Sequence, residues 1–433
     1  MRRILIAGTG SGCGKTTASL LLMALLRESG LRVAPYKVGP DYIDPSFHSA
    51  VCSRPSHNLD TFLMERDDTL SLLDADADVA VIEGVMGYYD GLDVRTLRCS
   101  TWELARLTRT PVLLVVDASG GAASVAAQVK GFKTLREDSG LAGVLVNRVS
   151  GAGHFAQVSE AVRRYTGLPC VGYIPKNTRL DFPSRHLGLI PAEETPDAVQ
   201  RIRQAAGALR ETVDVPLLLK LMQQAPELPH ERRRIERPDQ PFRLAVARDE
   251  AFSFYYQANL DVLERMGMEL TYFSPLRDAA LPVGIDGLYL GGGFPEVFAQ
   301  ALSGNQGMRE SIRAALEDGL PCYAECGGLL YLSQDIDGVP MVGFLPARCR
   351  MTERLQRFGY VQVEDRTGLC FPAHEFHHAM AEPLEGARMA YTVRKASAPQ
   401  KAWACGFERK RTLAAFAHAH FLSHPELVRR FWG

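Results

Sequence analysis

Two stretches of the chain combine residue types and spacings that could do chemistry. The first is Gly8-Thr9-Gly10-Ser11-Gly12-Cys13-Gly14-Lys15-Thr16-Thr17, between the apolar runs Ile4-Leu5-Ile6-Ala7 and Ala18-Ser19-Leu20-Leu21-Leu22-Met23. A strand, a glycine-rich loop and a helix in that order make a phosphate-binding loop: glycines let N–H groups curl around phosphate oxygens, and the helix N-terminus adds partial positive charge. Lys15 is expected to reach the terminal phosphates and the Thr16 hydroxyl to ligate Mg²⁺, with Gly10, Gly12, Gly14 and Thr17 completing an ATP cradle. The spacing is longer than the common form, since the usual first glycine falls on Thr9 and Gly8 stands one residue too early.

The second stretch is Leu320-Pro321-Cys322-Tyr323-Ala324-Glu325-Cys326-Gly327-Gly328-Leu329-Leu330. An apolar strand that runs into cysteine, two glycines and an apolar helix reads as a nucleophile elbow, the sharp turn exposing the thiol while the helix N-terminus favours thiolate. The Gly327 N–H could form one half of an oxyanion hole, and the loop Gly291-Gly292-Gly293-Phe294-Pro295-Glu296, through Gly292, the other. A thiol nucleophile needs a base. The run Phe416-Ala417-His418-Ala419-His420-Phe421-Leu422-Ser423-His424 offers His418 first and His420 second, on one face of a strand.

Other residues cluster around the first motif. Lys37, Asp41 and Asp44 fall in Lys37-Val38-Gly39-Pro40-Asp41-Tyr42-Ile43-Asp44-Pro45, where Gly-Pro and Asp-Pro predict a non-helical loop at the end of the second strand. Glu83 ends a buried strand and suits a metal partner, with Asp90 a short way on. Asn147 closes the run Leu141–Val146, where related sheets place an asparagine against adenine. His48, His57 and Cys13 read as structural. His374-Glu375-Phe376-His377-His378 matches a zinc-peptidase spacing, but Pro372 and Pro383 bracket it and no helical face is evident.

These residues need a frame. Short Val/Ile/Leu runs at Arg32–Val38, Val79–Val85, Pro111–Asp117, Leu141–Val149 and Pro169–Ile174 alternate with helical patterns near Lys15–Ser29, Thr101–Leu107, Ser124–Glu137 and Phe155–Thr166, which predicts a doubly wound α/β domain. A second α/β domain starts at Phe242–Ala247 and continues with a helix over Tyr255–Met266 and strands at Glu269–Phe273 and Gly287–Leu290. The expected division is 1–195, a helical and polar linker at 196–241, and 242–433. Within that linker Arg232-Arg233-Arg234 reads as solvated. A formal net charge of −1 over 433 residues leaves no footprint for nucleic acid. No apolar run approaches the roughly 20 residues of a membrane span. Nine cysteines without a C-x-x-C pair point to a reduced, cytoplasmic protein.

Taken jointly, the long phosphate loop, Lys37–His48, Asn58-Leu59-Asp60, Glu83–Gly91, Ala251–Leu260, Gly291–Glu296, Glu325–Leu330, His374–His377 and His418–His420 resemble, in order, the cobyrinic acid a,c-diamide synthase family. The resemblance implies a dethiobiotin synthetase-like ATPase domain fused to a class I glutamine amidotransferase domain. It also implies ATP- and Mg²⁺-dependent amidation of the a and c acetates of a corrin, with ammonia drawn from glutamine by Cys326 and His418. Thr16, Asp44 and Glu83 are then the metal residues, Lys15 and Lys37 meet phosphate, and Asp41, Tyr42, Asp44 and Asp90 lie towards substrate. The glutamate of the usual His-x-Glu is replaced by His420, which leaves the orienting partner of the histidine open. Hydrogenobyrinate and a nickel sirohydrochlorin stay open as acceptors. A partition or metal-delivery ATPase with a degenerate second module is the reading from another class. Glutamine and a corrin are the expected partners, nucleic acid and membrane are not, and a homodimer is left open.

Overall fold

In a computed structural model of the chain, residues 1–178, 180, 184, 185, 188, 189, 192–237 and 240–432 are described. They fall into two compact units, Met1–Arg233 and Arg234–Gly433.

The first unit is built on seven strands: β1 (Arg2–Gly8), β2 (Val33–Val38), β3 (His57–Leu59), β4 (Val79–Glu83), β5 (Val112–Asp117), β6 (Leu141–Val149) and β7 (Cys170–Pro175). All pair in parallel, in the order β3-β2-β4-β1-β5-β6-β7. Ile4–Ala7, Val79–Ile82 and Val112–Val116 are fully buried, as unbroken aliphatic runs must be when helices cover both faces of a sheet. The chain builds outward from β1 in one direction through β4 and β2, and in the other through β5, so the loop after β1 sits where strand order reverses. Ligands gather at that crevice in sheets of this kind.

The helices are α1 (Lys15–Glu28), α2 (Ile43–Cys52), α3 (Arg66–Ser71), α4 (Thr101–Thr108), α5 (Ala123–Thr134), α6 (Ala152–Thr166), α7 (Pro196–Ala208) and α8 (Val215–Met222). The α2 helix corrects the expected loop. Pro45 lies in its first turn, where a missing N–H leaves no intrahelical bond unmade. Asp41 Oδ1 accepts the N–H groups of Ile43 (2.8 Å) and Asp44 (3.2 Å), so a residue picked for chemistry also caps the helix.

Residues 196–241 are less linker-like than their composition suggests. The α7 helix packs on α1 and α2, and α8 on β1 and β7. Arg3, buried at the start of β1, donates to the carbonyls of Thr108 (2.8 Å) and Pro226 (2.6 Å). Arg233 is not simply solvated either: its guanidinium forks onto Asp68 at 2.8–3.1 Å, and Arg232 pairs with Asp74 at 2.8 Å. Pro238 and Asp239 lie outside the described residues.

In the second unit five strands run parallel, in the order Met268–Phe273, Phe242–Ala247, Gly287–Leu290, Cys322–Glu325 and Thr412–Ala415. The sheet then continues antiparallel through Ala398–Arg409, Met389–Lys395, Arg357–Asp365, Cys370–His377 and the short strand His418–Ala419. The parallel half follows the expected pattern, while the antiparallel extension was not foreseen. The helix Gln257–Arg265 is shorter at both ends than its apolar pattern. Beneath the parallel half, Tyr323 stacks on Phe431 at 3.7 Å between ring centroids, and Trp432 meets Tyr289 edge-on at 5.5 Å. Among the described residues no helix is long and apolar enough to cross a membrane.

Candidate functional site

The first unit gathers its chemistry at the ends of β1, β2 and β4. Gly14, at φ +100°, caps α1, and Gly12 has φ +79°; both are left-handed conformations that glycine adopts without strain. Gly8 has no room for a side chain, because a Cβ there would lie 2.5 Å from Cys13 Sγ and 2.6 Å from Lys15 Cγ. Lys15 Nζ donates to the Gly10 carbonyl at 2.9 Å, and burial lowers its pKa. Thr17 follows in the first turn of α1.

Thr16, Asp44, Glu83 and Lys37 meet as one cluster. Glu83 Oε1 accepts from Thr16 Oγ1 (2.6 Å) and Lys37 Nζ (3.0 Å), while Lys37 also reaches Asp44 Oδ2 at 2.5 Å and Asp41 Oδ2 at 3.8 Å. Thr16 Oγ1 lies 3.5 Å from Asp44 Oδ2. Register explains the meeting, since Lys37 on β2 and Ile6 on β1 both stand level with Glu83 on β4. Burial pulls the Lys37 ammonium down, but Asp44, Glu83 and Asp41 outweigh it and the net shift is upward. Burial would raise Glu83, yet Lys37 and the hydrogen bond from His48 hold its carboxyl well below the usual range. Asp44 goes the other way, pushed up by burial and then by Glu83. Two carboxylates and a hydroxyl on one spot form a hard-oxygen donor set that fits Mg²⁺.

His48, read as structural from sequence, buttresses this cluster: Nε2 lies 2.7 Å from Glu83 Oε2 and Nδ1 lies 3.3 Å from Ser56 Oγ. Nothing in its spacing marked it, because α2 was expected to be a loop. Asn147 is placed differently from the adenine-facing expectation. Its Nδ2 donates to the Cys13 carbonyl (2.9 Å), its Oδ1 accepts from Arg148 N–H (2.9 Å), and it packs where a Gly14 side chain would go. Its amide is committed to holding the phosphate loop. Neighbouring Arg148 reaches the Gly12 carbonyl at 3.2 Å and pairs with Asp117. Asp90 accepts the Gly87 N–H at 2.9 Å while remaining exposed, and half-buried Tyr42 stands at the start of α2.

The second unit forms the elbow at Cys326, whose φ of 48° and ψ of −97° lie outside the regions that side-chain-bearing residues favour. Its thiol is buried, and its pKa goes up rather than down: burial is the main cause, followed by the charges of Glu296, Glu325 and Glu375. The Gly327 N–H, at the start of the helix Gly327–Leu332, acts in the opposite direction and lowers it. The Gly292 N–H corrects the expected oxyanion hole, because it donates to the Phe254 carbonyl at 3.2 Å. Gly292 matters for what it lacks, since a Cβ there would lie 2.7 Å from His418 Cε1 and 3.4 Å from Nε2. The next amide, Gly293 N, faces Gly327, 3.0 Å from where a Gly327 Cβ would stand.

His418 is buried on its short strand, directly across from His374. Its Nδ1 lies 3.4 Å from Glu325 Oε2. Asn259 pins the following residues, donating to the Ala419 carbonyl at 2.8 Å and accepting from Phe421 N–H at 2.7 Å. His420 sits beside Tyr256, with ring centroids 5.2 Å apart. The zinc-peptidase spacing lies on the strand Cys370–His377, so no helical turn brings His374 and His378 to one face. Glu325 and Asn259 both escaped the sequence reading. A lone acid in a buried apolar strand, one residue before a reactive cysteine, was the available signal for Glu325.

A nucleotide crevice in one unit and a cysteine–histidine elbow in the other define a two-domain, nucleotide-using glutamine amidotransferase. Residues 4–190 match the model of the CobQ/CobB/MinD/ParA nucleotide binding domain, and residues 243–426 match that of the CobB/CobQ-like glutamine amidotransferase domain. The chain is 41% identical over 449 residues to the cobyrinate a,c-diamide synthase of Listeria monocytogenes, covering 100% of this chain and 99% of that protein. It is 42% identical over 445 residues to the protein of that name from Caldanaerobacter subterraneus (99% and 97% covered), and 41% over 447 residues to that from Salmonella typhimurium (99% and 96%). The chain belongs to the cobyrinate a,c-diamide synthase family.

Proposed function

We propose that this chain is a glutamine-hydrolysing carbon–nitrogen ligase that amidates the a- and c-acetate carboxylates of cobyrinic acid, using ATP, in cobalamin biosynthesis. The observation that carries this reading is the presence of both half-sites in one chain whose whole length aligns with cobyrinate a,c-diamide synthases. A carboxylate accepts no amine directly, so phosphoryl transfer from ATP makes it an acyl phosphate with a good leaving group. Thr16, Asp44 and Glu83 would hold Mg²⁺, which would offset the negative charge of the phosphates. Lys15 and Lys37 supply positive charge to the phosphates. Asp41, Tyr42 and Asp90, beyond the ends of β2 and β4, would lie towards the corrin.

In the second unit Cys326 Sγ attacks the glutamine amide carbon while His418 takes the thiol proton and passes it to the departing ammonia. The N–H groups of Gly327 and Gly293 would receive the oxyanion. Water then hydrolyses the glutamyl thioester, and the ammonia attacks the acyl phosphate. Because the reaction consumes ATP, the cytoplasm is the expected location. The partition-ATPase reading is not favoured, since a degenerate module has no need of an elbow with a base beside it.

The test follows product mass with ATP and glutamine on cobyrinic acid, hydrogenobyrinic acid and nickel sirohydrochlorin in parallel. The expected result is replacement of OH by NH₂ on cobyrinic acid, stopping after two. No product on any acceptor, with glutamine still hydrolysed, would overturn the corrin assignment. Cys326→Ala should abolish glutamine use and spare amidation driven by added ammonia.

A further inference from the structure

We propose that Glu325 is the positioning residue for His418, supplying from the nucleophile's own strand the orienting carboxylate missing two residues after the histidine. This rests on reading Cys326 and His418 as nucleophile and base. Glu325 is 1% exposed. Its Oε1 accepts from Tyr323 OH (2.9 Å) and Ala419 N–H (3.0 Å), and its Oε2 accepts from Tyr289 OH (3.1 Å) and faces His418 Nδ1 (3.4 Å). Such a buried carboxylate is tolerable because every side of it is supplied with donors.

The arrangement has a chemical consequence. An ionised carboxylate only accepts hydrogen bonds, so it keeps the His418 proton on Nδ1 and leaves the Nε2 lone pair to take the thiol proton. That edge of the ring, Cε1 and Nε2, lies against Gly292, in the loop whose Gly293 amide faces the Cys326–Gly327 turn. Glu325 also holds the backbone of the histidine segment through Ala419 N–H, so one side chain fixes both the ring's tautomer and its place. Its own backbone leads directly into the strained cysteine, which ties base and nucleophile to a single residue. Two titratable neighbours on the adjoining strand, His374 and His377, also interact electrostatically with His418. Both adjoining histidines are held neutral by burial, with His374 pulled down to about 3 and His377 to about 4. Neither replaces an anion.

The test is Glu325→Gln in the full chain. The amide keeps the volume and an acceptor for Tyr323 and Ala419, but turns NH₂ towards His418 Nδ1 and so favours the Nε2–H tautomer. Glutamine-dependent kcat should fall by about 10²- to 10⁴-fold, the scale on which neutralising an orienting carboxylate acts in a comparable triad. Ammonia-driven amidation should be unchanged, and ¹⁵N-histidine NMR of the variant should show the His418 proton moved from Nδ1 to Nε2. Unchanged glutamine hydrolysis, or a loss without a change of His418 tautomer, would overturn the proposal, the latter by pointing to a packing role. Should the variant not fold, ¹⁵N-histidine NMR of the unsubstituted protein, assigned against His418→Gln, reads the tautomer directly. Nδ1–H is expected, and Nε2–H overturns the proposal. Cys326→Ala run alongside separates the two failures: if it still hydrolyses glutamine, the reading of the thiol itself falls.

Discussion

At the scale of single residues, the two units can be silenced separately. Glu83 holds Thr16, Lys37 and His48 at once. Glu83→Gln should therefore abolish amidation even with ammonia supplied, while glutamine hydrolysis continues; parallel assays with the two nitrogen sources check this. Gly292→Ala is the mirror case. The added methyl would meet the His418 ring at 2.7 Å, and displacement of a base by about 1 Å can cost about 100-fold in rate. Glutamine-dependent turnover should fall on that scale with ammonia-dependent turnover intact. Residue identities announced both sites, because Gly-Lys-Thr and Cys-Gly-Gly carry their chemistry in the local chain. They did not announce Asn147's grip on Cys13, or Glu325's on His418, since those depend on which strand ends come level.

Elements decide what a motif means. The zinc-peptidase spacing is a strand here, and alternation sends Glu375 and His377 to one face and His374 to the other. Burial sets the two neighbours on opposite slopes. His377 is pulled down from 6.5 to about 4, so between those values the unfolded chain binds more protons and stability is lost as pH falls. Glu375 is pushed up by burial from 4.5 to about 7, so over that window the folded chain binds more protons and stability is lost as pH rises. Each contribution is about 3 kcal/mol across its window. Denaturant unfolding across pH should show His377→Gln removing the first slope and Glu375→Gln the second. The α2 helix teaches the same lesson from the other side: Gly-Pro and Asp-Pro read as loop punctuation, but a proline in the first helical turn costs little, and that helix carries Asp44 and His48 to the cluster around Thr16, Lys37 and Glu83. The antiparallel strands of the second unit were illegible because their half-exposed sequences lack the unbroken apolar runs that marked the parallel ones.

The whole molecule is two cores rather than one. Each sheet is closed by its own helices, so unfolding need not be a single event. Calorimetry should resolve two transitions. ATP with Mg²⁺ should raise one and a glutamine-site thiol inhibitor the other, and at a hundredfold excess over Kd a reversible ligand contributes about 2.7 kcal/mol. One transition shifted by both ligands would show the units to be thermodynamically one.

The backbone at Cys326 has a consequence for the chain's history. At φ 48° and ψ −97° the residue pays strain on the order of 1–3 kcal/mol that glycine would not. Cys326→Gly should therefore be a more stable protein with no glutaminase, seen as a higher melting temperature of the second unit. Selection for durability alone would erase this thiol. A cysteine held in that conformation is a residue kept for its chemistry at a cost in stability.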